Sequence, residues 1–416
     1  MECVFEKTLR YTAPSHGDWG IVRIASLVPE SHTVFVCPFA CGRHGALGAI
    51  AQGFKERLSY IFITKEDIIK GYDQTILEGV DELLERLKKR PRAVMVYVSC
   101  LDDLIGTDLN ALMEQLHQNH PDISFRAGHM NPISLESDSP PAMTTQDAMF
   151  GFLKKSDIKR RNLNLMGNLL NIDDENELRD ALKSAGMEKV LHMSDFNTFD
   201  GFQEMAQSSF NLVLSPIALL AARSTKQRHG IPFLFLPVSY DTGEIADQYI
   251  RLQEFVGQTK KYDFSLSIQK ACGEIQKTLD LVGQKPLVVS AGAAVRPFSL
   301  AAALIRYGFR VAAVVAQEVL PIDREGFEEV RRSAPGIKVI QPEHPDMIRF
   351  QNRMEDAVAI GFDAAYITGS RHIVNLSGDG GMFGYYGVYK LMKMIAKAYL
   401  EESDLKKLIA DYGVVI

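Results

Sequence analysis

Short apolar runs alternate with longer amphipathic segments along the chain, beginning near residue 32. In the first third, apolar runs predict strands at 32–37, 58–64, 92–100 and 123–128. Between them, apolar residues at helical spacing predict helices at 45–58, 66–90 and 103–118. The run 92–100 is apolar throughout and rich in β-branched residues, which is typical of a strand buried on both faces of a parallel sheet.

The same alternation restarts twice after residue 150. The apolar runs predict strands at 162–169, 189–193, 210–215 and 232–237, then at 285–292, 309–316, 337–342, 364–369 and 372–378. A long connecting helix is predicted over 263–282. Strands that alternate with helices indicate α/β architecture. We therefore predict three Rossmann-like domains, 1–150, 151–280 and 281–416, each a mostly parallel sheet flanked by helices, around a central cleft.

Composition narrows the class of protein. A chain of 416 residues is too long for one ordinary core, and 46% hydrophobic with 24% charged residues is typical of a soluble globular protein. A net charge of −6 argues against a large basic face for nucleic acid. The apolar runs are too short to span a bilayer, and the first residues lack the apolar core of a signal peptide. We expect a cytoplasmic protein without nucleic-acid or membrane partners.

Two of the five cysteines follow strands that are predicted to share one sheet. The five are Cys3, Cys37, Cys41, Cys100 and Cys272, an odd and sparse set that argues against a disulfide framework. Cys41 and Cys100 each lie between a predicted strand and a predicted helix. Ligands gather at the carboxyl ends of parallel strands, and helix N-termini there stabilise thiolates. Two thiolates at such an edge suit a soft metal or an iron–sulfur cluster.

Other interpretations of these thiols stay open. Buried free cysteines often only pack, and the residues alone do not separate packing from a metal site. The C-x3-C spacing of Cys37 and Cys41 differs from the C-x2-C of zinc sites and redox pairs. A Cys–His hydrolase using His44 lacks a triad or oxyanion pattern. Cys272 on the connecting helix is predicted to pack within the fold, and Cys3 near the first residue to have no role at a site.

Glycine-rich stretches raise the question of nucleotide binding. SGDGGMFGYYG at 377–387 lacks the G-x-x-x-x-G-K-[ST] of a phosphate-binding loop. SAGAAV at 290–295 follows a predicted strand but lacks the further glycines of a dinucleotide fingerprint. Neither stretch predicts a nucleotide site.

Several segments, in order along the chain, are similar to one family. VFVCPFACGRHGA (34–46) is similar to a family HGxxGC segment, with Cys41 in the place of the second cluster cysteine. Residues 64–112 resemble the T-E-D-x-V-F-G-G … S-T-C-x-x-x-x-I-G-D-D-I block, with Cys100 in the place of the third. Further similar segments are 162–171, 211–237, 284–315 and 381–398. The chain thus resembles the nitrogenase component 1 superfamily, which includes nitrogenase subunits, protochlorophyllide and chlorophyllide reductases, the Ni-sirohydrochlorin reductive cyclase and cofactor scaffolds.

The chain departs from this family at the first cluster cysteine. The corresponding region, APSHGDWGIVRIA, has no cysteine, and His16 and Asp18 lie near the expected place. Cys37 stands where the family usually has glycine and is an alternative ligand. A homodimer could also build a four-cysteine site from Cys41 and Cys100 of both chains.

A second departure concerns the large metallocofactor of nitrogenase. By the resemblance, its cysteine ligand would fall near Leu214 and its histidine ligand at Phe383. Leucine and phenylalanine cannot ligate iron or molybdenum. The resemblance therefore implies no nitrogenase-type molybdenum cofactor and no reduction of dinitrogen.

By resemblance, we expect an oxidoreductase subunit in a homodimer or in a heterodimer with a homologous component 1 subunit. A [4Fe–4S] or related iron–sulfur cluster, bound by Cys41, Cys100 and Cys37, would receive electrons from an iron protein, and only that partner would hydrolyse ATP. The substrate would be a small or tetrapyrrole-like molecule, with His129 and Arg296 as cleft candidates for proton donors. The alternatives are a scaffold for metal-cluster assembly and a degenerate structural partner of a second subunit.

Overall fold

Three parallel sheets flanked by helices organise the chain, which confirms the predicted fold class. The structure is a computed structural model that describes residues 9, 11, 26–130, 140–258, 261–350 and 354–412. Each sheet lies within one of the three predicted domain ranges. The domain boundaries themselves stay a prediction.

The first sheet has the strand order β2-β1-β3-β4. Its strands are β1 (Ser31–Cys37), β2 (Leu58–Phe62), β3 (Ala93–Ser99) and β4 (Ser124–Met130). The accompanying helices are α1 (Phe39–Ala51), α2 (Lys65–Lys70), α3 (Asp73–Arg86), α4 (Asp102–Ile105), α5 (Leu109–Asn119) and α6 (Pro141–Phe150). Every residue of β1 and β3 is buried, as the apolar run 92–100 predicted for β3.

The order of this sheet reverses between β1 and β3. From β1 the chain moves outward to β2, then returns to place β3 on the other side of β1. β1 and β3 are hydrogen-bonded in parallel register, with Val36 opposite Val98. Such a reversal opens a crevice outside the carboxyl ends of the two strands, which is where ligands bind in doubly wound sheets.

The second sheet has the order β6-β5-β7-β8, with its reversal between β5 and β7. Its strands are β5 (Arg160–Met166), β6 (Val190–Leu191), β7 (Ser208–Val213) and β8 (Phe233–Phe235). The helices that follow in the chain are α7 (Glu177–Ser184), α8 (Phe199–Phe202), α9 (Leu219–His229), α10 (Thr242–Phe255) and the connecting helix α11 (Ser265–Val282).

The third sheet has the order β11-β10-β9-β12-β13. Its strands are β9 (Leu287–Ser290), β10 (Val311–Val315), β11 (Lys338–Ile340), β12 (Val358–Ile360) and β13 (His372–Val374). Its helices are α12 (Pro297–Arg306), α13 (Arg324–Ser333), α14 (Phe362–Thr368), α15 (Gly384–Leu400) and α16 (Leu405–Tyr412).

One predicted strand is wrong. Residues 364–368 are in helix α14 and Gly369 ends it, while the strand at this point is the short β12, which the pattern missed. Glycines with positive φ delimit the helix, Gly361 at 98° before it and Gly369 at 72° after it. Only three residues form β12, too few to stand out as an apolar run.

Two predicted helices are each divided at a glycine. The segment 66–90 forms α2 and α3, which are separated at Gly71 with φ 84°. The segment 103–118 forms α4 and α5, and Gly106 ends α4 in the left-handed conformation with φ 74°. Glycine adopts this conformation without the steric cost that a Cβ brings.

The second sheet shares a hydrophobic core with each of its neighbours. One core joins it to the third sheet and includes Leu163, Leu212, Leu287 and Val314. Another joins it to the first sheet and includes Phe35, Tyr97, Met166 and Val213. The first and third sheets each have a further core on their other face.

Candidate metal-binding site

Cys37 and Cys41 lie on either side of the junction between β1 and α1. Cys37 is the last residue of β1, and α1 begins at Phe39, so Cys41 is in the first helical turn. The Cys41 backbone nitrogen donates to the Pro38 carbonyl at 3.1 Å. The sequence predicted this helix only from Gly45. The earlier start brings the Cys41 thiol to the N-terminal end of α1, where backbone N–H groups favour a thiolate.

Cys100 occupies the equivalent place after β3. It immediately follows Ser99, the last residue of the strand, and α4 begins two residues later at Asp102. The Asp102 carboxylate is buried and accepts a hydrogen bond from the Tyr72 hydroxyl. Burial, and then this bond to Asp102, raises the pKa of Tyr72 well above its usual range. The bond anchors the turn that carries Cys100 to the start of α3.

The three thiols follow or end the strands β1 and β3, at the reversal of the first sheet. Burial, with a smaller contribution from the nearby Cys41 thiol, raises the pKa of the Cys37 thiol to about 12. Burial also raises the pKa of Cys41, with an added contribution from Cys100. Each thiol thus lies close enough to the next to affect its ionisation. A metal would have to displace protons from these thiols, and its binding would release them.

Cys37 differs from the other two in exposure. Its side chain is fully buried in the core between the first and second sheets, whereas Cys41 and Cys100 are partly exposed. A Cβ placed on Gly42 would lie 3.4 Å from the Cys37 sulfur and 3.1 Å from the Tyr60 ring. The buried Tyr60 hydroxyl has no hydrogen-bond partner among the described residues. Burial raises the pKa of Tyr60 to about 12, and the neighbouring Cys37 contributes.

The described residues provide an incomplete ligand set. Among them, no group of three or more His, Cys, Asp or Glu side chains could hold a metal ion. His16, Asp18, Cys3 and the side chain of His44 lie outside the described residues. Cys41 and Cys100 are both partly exposed, and Cys100 affects the ionisation of Cys41.

Exposed apolar side chains follow the side of α1 that faces away from Cys41. Phe39, Leu47 and Ile50 follow one side of α1 and are 74%, 43% and 55% exposed. The Phe39 ring contacts that of Phe62 on the edge strand β2, with centroids 5.4 Å apart, and Phe62 is itself 48% exposed. We call these four residues the α1 apolar face. Contiguous exposed apolar surface of this kind typically marks a protein interface.

The two positions that the resemblance assigns to nitrogenase cofactor ligands are filled by core side chains. Leu214, which directly follows β7, is 2% exposed, and Phe383, which directly precedes α15, is 1% exposed. Both belong to the core between the second and third sheets. The Phe383 ring packs edge-on against Tyr249, with centroids 5.9 Å apart. Neither place has a side chain that could bind a metal.

The two candidate proton donors lie in different surroundings. His129 is on β4, one residue before its carboxyl end. The Arg296 guanidinium is held by both carboxylate oxygens of Glu244 on α10, at 2.5 and 3.2 Å. This ion pair ties the third sheet to the helices of the second. Arg296 is thus engaged in a contact between two parts of the fold.

Sequence reasoning missed a buried carboxylate at the same junction. Asp379 is 3% exposed and has a φ of 57°. Its two oxygens accept from the Tyr240 hydroxyl and from the Val295 backbone nitrogen, each at 2.8 Å. Burial raises its pKa to about 6, although both hydrogen bonds act against this shift. Its only signal in the sequence is its position within a glycine-rich segment, which we considered for phosphate alone.

A family model, Nitrogenase component 1 type Oxidoreductase, matches residues 18–400. The chain belongs to this family. The resemblance seen in the sequence is thereby confirmed. The family binds iron–sulfur clusters in general, works with an iron protein partner and forms oligomers.

Two relatives of this chain are cofactor biosynthesis proteins. The nitrogenase iron-molybdenum cofactor biosynthesis protein NifE of Clostridium pasteurianum is 20% identical over 277 residues, or 64% of this chain. NifE of Methanosarcina barkeri is 23% identical over 207 residues, or 45% of this chain. The matched regions span 59% and 43% of the lengths of these relatives.

Solved nitrogenase structures share the fold. Nitrogenase Cp1 at pH 6.5 superposes with a TM-score of 0.73 at 16% identity, covering 96% of this chain and 95% of that one. Nitrogenase Cp1 at pH 5 gives a TM-score of 0.58 at 15% identity, covering 93% and 88%. Identity at this level supports the fold alone. Within the described residues, no helix is both long and apolar enough to cross a membrane.

Proposed function

We propose that this chain is a nitrogenase-like component 1 oxidoreductase subunit that supplies half of an iron–sulfur site at a subunit interface. The observation that carries the proposal is the pairing of Cys41 and Cys100 at the reversal of the first sheet. The α1 apolar face, on the same helix as Cys41, supports a second subunit that contacts this domain. Two chains that each contribute two thiolates would complete a four-thiolate site, in a homodimer or with a homologous subunit.

A bound cluster would supply one-electron transfer. The chain's own contribution is to hold two thiolates at a fixed separation and to shield them. The β1–β3 pairing fixes the two strand ends, and the bond from Tyr72 to Asp102 fixes the turn after Cys100. The N-terminal turn of α1 stabilises negative charge at Cys41. Burial against a partner would exclude water, which together with thiolate ligation favours a low reduction potential.

Cys37 has a supporting role in this proposal. Its full burial and its pKa of about 12 favour packing beneath the site over ligation. A thiol of high pKa in an apolar setting is a poor ligand unless the backbone moves. The prediction that Cys37 binds the cluster is kept as an alternative that the experiment below distinguishes.

The electron donor in this proposal is an ATP-dependent iron protein, and the protein works in the cytoplasm, where free thiols persist. The substrate is a small or tetrapyrrole-like molecule. Dinitrogen is not proposed, because Leu214 and Phe383 occupy the places of the cofactor ligands.

The test is the iron and sulfide content of the anaerobically purified full chain, with its electron paramagnetic resonance spectrum and its molar mass in solution. We expect about one cluster per dimer. C41S and C100S should each lose most of the iron, while C272S, which alters an exposed thiol on α11, should retain it. Full iron in both C41S and C100S would overturn the proposal. Loss of iron in C37S, with unchanged folding, would assign Cys37 as a ligand.

A second candidate function is a scaffold on which a metal cluster is assembled and passed on. The two relatives, both cofactor biosynthesis proteins, favour it. Turnover of a tetrapyrrole with iron protein and ATP would support the oxidoreductase. Transfer of iron from the loaded chain to an acceptor apoprotein, without turnover, would support the scaffold. A chain without iron, alone and with its partner, would instead be a structural subunit.

A further inference from the structure

A group of exposed cations lies beside the second sheet, separate from the thiols. Its members come from the segment 154–160, which leads into β5, and from α9, which precedes β8. They are Lys154, Lys155, Lys159, Arg160, Arg223, Lys226 and Arg228. We call these seven residues the basic face. The Lys159 ammonium donates to the His229 carbonyl at 2.9 Å, which joins the two segments.

The face carries little compensating negative charge. Arg228 forms an ion pair with Asp147 at 3.4 Å. Lys154, Lys155, Arg223 and Lys226 form no ion pair with any described residue. Asp157 is the one acid within the two segments 154–160 and 219–229. The chain as a whole has a net charge of −6, whereas the basic face has a local excess of positive charge that the overall composition does not reveal.

Helix stabilisation accounts for only part of this charge. Lys226 and Arg228 are in the last turn of α9, where cations interact favourably with the helix dipole. Lys159 caps a carbonyl at the same end. Lys154, Lys155 and Arg223 have no such role, because the first two precede β5 and the third is in the first half of α9. Isolated surface cations without partners add no stability.

The basic face is at the edge of the sheet away from ligand crevices. Its two segments lead into the amino ends of β5 and β8, whereas crevices for ligands open at the carboxyl ends. Its side chains are exposed and come from two separate segments rather than converging on a small pocket. This arrangement fits an extended partner better than a small anion.

We propose that the basic face docks an acidic segment of another protein, an interaction beyond the redox or scaffold role. Charge complementarity supports a carboxylate-rich partner. Ile158 is 56% exposed among the cations and offers an apolar contact. The two segments contain no aromatic residue, which disfavours single-stranded nucleic acid, since such sites stack bases on aromatic rings.

His229 provides a built-in reporter of the potential at this face. Its side chain is 8% exposed, and neither ring nitrogen has a hydrogen-bond partner among the described residues. Burial lowers its pKa, and the charges of Arg228, Lys159 and Lys155 lower it further. Carboxylates that dock nearby would offset these positive charges. Docking should therefore raise the pKa of His229.

The test uses the full chain and a fluorescein-labelled peptide in which glutamates alternate with leucines. Fluorescence anisotropy should show saturable binding with one peptide per chain that weakens as salt rises. K155E/K226E should lower the affinity at least about tenfold. K406E/K407E makes the same charge change on exposed residues of α16 and should alter it less than about twofold. The pKa of His229, measured by NMR, should rise on binding.

Several outcomes would overturn the proposal. These are an equal loss in the two variants, no saturation, an unchanged His229 titration, or tighter binding of oligothymidylate or pyrophosphate than of the peptide. Thermal unfolding of both variants separates a lost surface from a lost fold. Because neither variant touches a cysteine, iron content should be unchanged, so failure here is distinct from failure of the proposed cluster site.

Discussion

The Glu177 carboxylate, at the start of α7, caps the N-terminus of α15, which follows the third sheet. Its Oε1 accepts from the backbone nitrogen of Tyr385 at 2.7 Å. Its Oε2 accepts from the Tyr386 nitrogen at 3.0 Å, and the Tyr249 hydroxyl donates to Oε1 at 2.6 Å. Glu177 begins α7, whereas Tyr385 and Tyr386 are in the first turn of α15. One side chain thus joins helices that accompany the second and third sheets.

Removal of this carboxylate should destabilise the whole chain. E177A leaves three buried donors without an acceptor and should lower the free energy of unfolding by about 2–4 kcal/mol. E177Q keeps one oxygen and should cost about 1–2 kcal/mol. Burial raises the pKa of Glu177, so part of the loss is offset by relief of that desolvation.

Urea denaturation of wild type, E177A and E177Q measures this effect. E328Q on α13 is the control. Glu328 is exposed, and its ion pair with Arg331, at 3.6 Å, lies within the same helix and joins no other element. Its cost should stay within about 0.5 kcal/mol. An E177A variant as stable as E328Q would show that the helix cap contributes nothing.

Asp379 should make stability depend on pH in an unusual direction. Its pKa is about 6 in the folded chain, above the value of 3.8 for an ordinary aspartate. The folded state therefore binds the proton more tightly, and the contribution of Asp379 to stability falls as pH rises from about 4 to 6. D379N should cost more at pH 4 than at pH 7, by about 2–3 kcal/mol.

Urea denaturation of wild type and D379N across this range provides the measurement. The difference between the two proteins cancels other groups that titrate in both. Asparagine tolerates the φ of 57° at this position, so backbone strain should change little. A cost that is constant with pH, or that grows as pH rises, would contradict the burial of an ionisable Asp379.

Gly45 should tolerate no side chain. A Cβ at this position in α1 would lie 2.6 Å from the ring of Phe35, which is fully buried. G45A should lower the free energy of unfolding by about 1–3 kcal/mol, despite the better helix propensity of alanine.

The matched control is G273A in α11. A Cβ there meets nothing within 4 Å, so this variant should gain about 0.5–1 kcal/mol from helix propensity alone. Thermal melting of the two variants beside wild type should move in opposite directions. A common direction would mean that α1 does not approach β1 as closely as described.

The cysteines should react with iodoacetamide in a fixed order in the metal-free chain. Cys272 is exposed and should be modified first, with the partly exposed Cys41 after it. Cys37 should be last, because it is buried and a pKa of about 12 leaves about 10³-fold less thiolate than the usual 9.0. Mass spectrometry of timed digests measures the order. Equal rates at Cys37 and Cys272, while the chain remains folded, would contradict the burial of Cys37.

The sequence predicted what depends on local pattern and on strand order. The continuous apolar run at 92–100 became the buried strand β3, and Cys41 and Cys100 came to one sheet edge as the alternation of strands and helices required. Strand β12 was missed because it has only three residues. It is identified by its pairing with β9 and β13 rather than by a long apolar run in the sequence. Asp379 and Glu177 were missed because their partners are 139 and more than 200 residues away.

The start of α1 was a smaller error with a larger effect on the site. Gly45 suggested a helix start, yet the helix begins at Phe39, just after Pro38. This difference moves Cys41 from a turn into the first helical turn. It also places Phe39 on the α1 apolar face, which no period in the sequence had indicated.

The double-sided packing of the second sheet also limits how the chain can be divided. A fragment that ended before β5 would keep the Val34 and Val96 core of the first sheet but would lose Met166 and Val213, which share a core with Phe35 and Tyr97. A fragment that began at β9 would lose Leu163 and Leu212, which share a core with Leu287 and Val314. Each outer third thus has apolar side chains that pack against the second sheet. Exchange of either third between family members requires a matching apolar face on the recipient.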